Sequence, residues 1–185
     1  MKLLLIKMLT LFCILSLQYN KSDAQGDQQL NEQFLKIMVA FPGKFESIKG
    51  GPVGTYDNNK RHWAKWNITG VKYCTIETEE NASAPAFIGS IDTNEDQPME
   101  EMKQRYNRWA GKIDALILNG AKVVNYPTNA YTTEDRYDMY TVGKAWRLDN
   151  SKNNIAPEYQ NFTIRLELLD LDQGGWLLQL KICGQ

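Results

Sequence analysis

The sequence holds one histidine, His62, among 185 residues, with three cysteines and six prolines. A lone imidazole cannot supply the several Cys and His ligands of a zinc site. It would also have to serve by itself in any serine or cysteine triad. Ser47, Ser83, Ser90 and Ser151 stand outside any G-x-S-x-G elbow. The run "GGPVG" (50–54) lacks the lysine of a P-loop and the spacing of a dinucleotide-binding loop. A close-spaced cysteine pair is missing, which removes thioredoxin-type redox chemistry. Neither sign of charge dominates: 21 Lys and Arg face 22 Asp and Glu. The basic stripe expected of a nucleic-acid binder is therefore absent. No apolar run reaches the ~20 residues of a membrane-spanning helix.

What is present begins with a leader. Lys2 and Lys7 flank the start of "MLTLFCILSL" (8–17), and "SDA" (22–24) puts small residues at −3 and −1. This is the pattern of a secretory signal cleaved after Ala24. Leu11 and Phe12 before Cys13 do not fit a lipoprotein signal. The expectation is an exported protein, periplasmic or extracellular, with residues 1–24 as signal peptide and 25–185 as a single domain. Losing Lys2, Lys7, Lys21 and Asp23 leaves 18 cations against 21 acids. Two cysteines remain, Cys74 in "VKYCTIET" and Cys183 in "QLKICGQ". In an oxidising compartment they are a candidate disulfide, and the sequence leaves the pairing open. A bridge over so long a loop would add about 4–5 kcal/mol in the chain-entropy model.

Between residues 27 and 41, Leu30, Phe34, Ile37, Met38 and Phe41 repeat at helical spacing, with Asp27 to cap and Pro42-Gly43 to stop. "KFESIKGG" (44–51) reads as a further helical turn, with Phe45 and Ile48 inward and the glycines ending it. The period then changes to two. "RHWAKWNIT" (61–69), "VKYCTIET" (71–78) and "APAFIGSI" (84–91) read as strands. Met99, Met102, Tyr106, Trp109, Ile113 and Leu116 define a second helix. Asp96 and Pro98 start it and Asn119-Gly120 stops it. Beyond it, "AKVVNY" (121–126) reads as a short strand or an extended approach, and "RYDMYTVGKAWRL" (136–148) and two closing apolar alternations give about three more strands. The closing pair is Phe162–Leu168 and Trp176–Ile182, and the chain must reverse between them. "LDLDQGGW" is thus a hairpin turn with Gly174 or Gly175 at positive φ, rather than a calcium loop.

The predicted fold class is α+β: two helices, each followed by about three antiparallel strands (αβββ-αβββ), with the helices packed on one face of antiparallel sheet. The order allows two half-repeats, about 27–91 and 96–183. No residue is nominated as catalytic, as a metal ligand or as a cofactor ligand. The acidic clusters Glu77/Glu79/Glu80, Asp92/Glu95/Asp96 and Glu134/Asp135/Asp138 read as solvated loops. Alternation turns Trp66 inward and Trp63 outward, next to His62 and Lys65. Those three residues form the candidate partner surface, since exposed tryptophan beside basic groups suits a protein or glycan contact. The leading expectation is a non-enzymatic, exported, protein-binding domain that uses its outer sheet face or loops. Two further classes stay open: a small-ligand or glycan binder, and a small hydrolase using paired carboxylates. No nucleic acid, membrane span or cofactor is expected.

Overall fold

A computed structural model of the chain describes residues 27–54, 61–78, 84–94, 98–126, 141–151, 154–171 and 175–184. The signal-peptide expectation for residues 1–24 lies outside the described residues. Helix α1 spans 27–40, and its stripe of Leu30, Phe34, Ile37 and Met38 is buried as its spacing requires. A 3-10 turn, Glu46–Ile48, leads into four strands: β1 Lys49–Pro52, β2 Arg61–Ala64, β3 Tyr73–Glu77 and β4 Ala86–Asn94. Helix α2, Met99–Asp114, follows, burying Met102, Tyr106, Trp109, Ala110 and Ile113. Five strands complete the chain: β5 Ile117–Leu118, β6 Ala121–Asn125, β7 Thr141–Leu148, β8 Thr163–Asp170 and β9 Trp176–Cys183.

All nine strands join one antiparallel sheet in the order β1-β2-β3-β4-β9-β8-β7-β6-β5. Each helix is thus followed by a meander, and the last strand of each meander meets the other at the centre. The chain is α+β as expected, but among the described residues the strands number four and five rather than about three and three. Of the three extra strands, β6 is the segment left open between a short strand and an extended approach, and β1 and β5 adjoin glycines that periodicity reads as stops. Gly50 and Gly51 lie in β1 rather than ending a helical turn. Gly50 is forced by contact: a Cβ there would stand 2.8 Å from the Trp63 carbonyl oxygen of β2. Asn119-Gly120 does not stop α2, which ends at Asp114. Both residues have positive φ, 50° and 79°, and they link Leu118 to its partner Ala121 in the β5–β6 hairpin. That is the two-residue turn for which Asn-Gly is the preferred sequence.

Register sorts the central strands into two faces. Phe87 and Gly89 of β4 align with Ile182 and Leu180 of β9. Leu168, Leu166 and Ile164 of β8 align with Leu178, Leu180 and Ile182, and Trp146 of β7 with Ile164. These residues, with the buried stripes of α1 and α2, form one continuous hydrophobic core. The opposite, outer face carries Ile88, Ser90, Gln179, Lys181, Arg165, Glu167 and Ala145. The closing hairpin forms where expected: Asp170 pairs with Trp176, the Leu171 amide donates to the Gly175 carbonyl at 3.0 Å, and Gly175 has φ 116°. Asp172, Gln173 and Gly174 lie outside the described residues.

The candidate Cys74–Cys183 bridge is corrected by the same register. Cys74 stands opposite Gly89, and Gly89 opposite Leu180, on the inner face. Cys183 stands opposite Thr163, on the outer face. The two cysteines are both buried, but two strands apart and on opposite sides of the sheet. Bridging needs Cα atoms within ~7 Å and converging Cβ atoms, so these two are not bridged to one another.

Candidate functional site: the outer face of strands β2 and β3

Four large hydrophobic residues are exposed among the described residues: Val39, Trp63, Tyr73 and Ile117. Two of the four touch. Trp63 of β2 and Tyr73 of β3, 45% and 43% exposed, meet edge to face with ring centroids 6.1 Å apart. Strand geometry places them together. Trp63 aligns with Thr75, so Tyr73, two residues along β3, is its diagonal neighbour on the same face. Arg61 and Glu77 align beside them and are joined by an ion pair of 3.0 Å. The Thr75 hydroxyl donates to the same Glu77 oxygen at 2.6 Å. The result is an aromatic pair with a charged and polar border on one side.

Toward the middle of the sheet this face becomes covered. Thr75, Ser90 and Glu167 are buried, and the Gln179 amide donates to Glu167 at 2.7 Å. Among the described residues the exposed aromatic surface is therefore the β2–β3 margin. Trp63 is outside and Trp66 half-buried against the core, with its ring 6.3 Å from Phe87.

The structure does not gather the other two residues of the sequence-derived surface around Trp63. His62 aligns with Ile76, a core residue, and so belongs to the opposite face from Trp63. Lys65 lies beyond the end of β2, with its ammonium donating to the Ser47 carbonyl at 3.1 Å. The alternation that exposes Trp63 also turns its chain neighbour His62 away. Tyr73 was missed because it lies ten positions from Trp63, and only strand pairing brings the two together.

The acidic clusters resolve in part. Glu79, Glu80, Glu95, Asp96, Glu134, Asp135 and Asp138 lie outside the described residues. Glu77 is held by Arg61 and Thr75 as above. Asp92 is buried and paired with Lys72 at 2.7 Å and with Arg105 of α2. Ala86, the partner of Glu77, and Asp92 stand six residues apart along β4. At ~3.3 Å per residue that is about 20 Å, too far for the ~5–10 Å of a glycosidase pair. Among the described residues, no group of three or more His, Cys, Asp or Glu side chains is placed to hold a metal ion. Burial pushes the Cys74 thiol up to about 11, which makes it a poor nucleophile near neutral pH.

A second aromatic contact lies on the β6–β7 side, where the Arg147 guanidinium stacks 4.8 Å from the ring of Tyr126. No helix among the described residues is long and apolar enough to cross a membrane. In comparisons with known proteins, no family model matches the chain, and neither a curated protein nor a solved structure matches it.

Proposed function

We propose that the chain is an exported, non-enzymatic domain that binds a protein partner through the β2–β3 margin of its outer sheet face. The observation that carries the reading is the Trp63–Tyr73 pair: two large aromatic rings in mutual contact, exposed, on paired strands. Tryptophan and tyrosine dominate the energetics of protein interfaces, and the Arg61–Glu77 ion pair beside them has the character of an interface rim. Export rests on the leader pattern of residues 1–24.

The architecture fits the reading. In this view the two halves are helix-plus-meander units whose helices cover one face and leave the other for recognition. Supporting it, Trp146 of the inner face donates to Asp114 at the end of α2. Phe45, just after α1, packs on Phe87 of the same inner face.

The test is recovery of partners from the native compartment by the mature protein, by Trp63→Ala and by Tyr73→Ala. Both side chains are half-exposed, so stability should change by about 1 kcal/mol or less, while partner affinity should fall by about 2 kcal/mol or more. Equal recovery of every partner by wild type and both variants overturns the proposal. A saccharide that raises the melting temperature of the wild type but not of Trp63→Ala would reassign the surface to glycan binding.

A further inference from the structure

On different elements from the Trp63 surface, β4 carries an irregularity that the alternating pattern gives no sign of. Ser90 aligns with Gln179, but the next aligned residue is Asp92, opposite Leu178. One extra residue, Ile91, is accommodated as a bulge, and bulges re-aim side chains. Here the result is a buried carboxylate clamped between Lys72 and Arg105. Arg105 is further held by Glu101, one helical turn back, at 3.0 Å. Asp92 thereby anchors the side of α2 that carries Arg105.

Beside this anchor opens a pocket of about 240 Å³ lined by Gly70, Ile91, Asp92, Arg105, Arg108, Trp109 and Lys112. The three cations recur at 105, 108 and 112, a spacing that puts them along one side of α2. Lys112 sits over the ring of Trp109, its ammonium 5.2 Å from the centroid, and Trp109 is itself buried against the core. Three cations, Arg105, Arg108 and Lys112, line the pocket with one carboxylate, Asp92. Asp92 is the one acid among the described residues that lines it, and Lys72 and Arg105 already compensate it. Arg108 and Lys112, both exposed, line the same concavity and leave it with positive charge.

We infer that this pocket binds a compact tetrahedral oxyanion, a phosphate or sulfate group. The Arg108 guanidinium is the bidentate donor that such a group matches, and Lys112 supplies the second charge from the Trp109 wall. Arg105, fixed by Asp92 and Glu101, sets the shape of the floor. The group is either a free inorganic ion or the ester end of a larger molecule, and the two sources share this chemistry.

The test uses the mature chain and follows tryptophan fluorescence and thermal unfolding while inorganic phosphate or sulfate is titrated in. Chloride at matched ionic strength is the reference. A saturable fluorescence change and a rise in melting temperature beyond the chloride series are expected. Arg108→Ala and Lys112→Ala, both at exposed helix positions, should fold normally and bind at least tenfold more weakly. Lys122→Ala, an exposed cation on β6, should bind like the wild type. Phenyl phosphate binding more tightly than inorganic phosphate assigns the site to an esterified group, and weaker binding assigns it to the free ion. The proposal is overturned if neither phosphate nor sulfate gives a saturable change beyond chloride. It is equally overturned if Lys122→Ala weakens binding as much as Arg108→Ala, because the effect would then be bulk charge.

Discussion

Asp114 shows how a single carboxylate at a helix end organises its neighbours. The fully buried Trp146 donates its indole N–H to Asp114 Oδ1 at 2.6 Å, and Lys144 donates to both carboxylate oxygens at 3.0 and 2.9 Å. Desolvation works to raise the acid, but the hydrogen bonds from Trp146 and Lys144, with the lysine charge, outweigh it and hold the carboxyl below its usual range. A carboxyl lowered on folding adds stability that is fully present above the unfolded value, ~3.9, and is lost as pH falls through the folded value. Asp114→Asn keeps an acceptor for the indole and removes the charge. Its urea midpoint should lie below that of the wild type near pH 6, and the gap should close as pH falls through the lowered folded value of Asp114. Because the Asp114 side chain is 48% exposed, the gap should amount to about 1 kcal/mol or less. At this scale the sequence was a good guide to which side chains turn in and which turn out. It could not give Asp92 its role, since a bulge leaves no mark in an alternation of apolar and polar residues.

Elements were legible where their periodicity is internal to the segment. Both helices stand on stripes that need no information from the rest of the chain, and α2 keeps Met102, Tyr106, Trp109 and Ile113 buried as read. β1 and β5 were not legible, because what makes them strands lies elsewhere. β1 is a strand because β2 lies beside it, with Lys49 opposite Ala64 and Pro52 opposite His62. Its glycine is demanded by the approach of the Trp63 carbonyl. Gly50→Ala should therefore cost about 1–3 kcal/mol, measured as a shift in denaturation midpoint with unchanged slope. Gly51→Ala, where a Cβ would meet nothing within 4 Å, should cost clearly less. Both edge strands are short, and β1 ends in proline. These are features that discourage pairing with a second sheet.

For the whole molecule, the class of fold was readable from composition and period, but the order of strands was not. Alternation identifies a strand's buried face without naming its neighbour, and the central pairing of β4 with β9 joins residues near 87 to residues near 182. The core is accordingly shared across the full chain. Leu180 sits at its centre, fully buried, between Gly89 on one side and Leu166 on the other. Leu180→Ala should cost about 2–5 kcal/mol. One cooperative unfolding transition, with fluorescence and far-UV circular dichroism coincident, would show that both meanders lose structure together. Two separated transitions would show that each meander is its own folding unit.

The β4–β9 seam also imposes a timetable on a chain made from its N-terminus. β4 is complete long before its partner exists, because β9 follows the other eight strands in the sequence. Until it arrives, β4 and β8 each present an open hydrogen-bonding edge with apolar side chains beside it, the kind of surface on which unfinished chains pair with one another. Pairings so distant along the sequence also form slowly. A chain with this topology gains from being kept unfolded until it is complete, and the export proposed above, through a secretory channel as an extended polypeptide, would provide that delay.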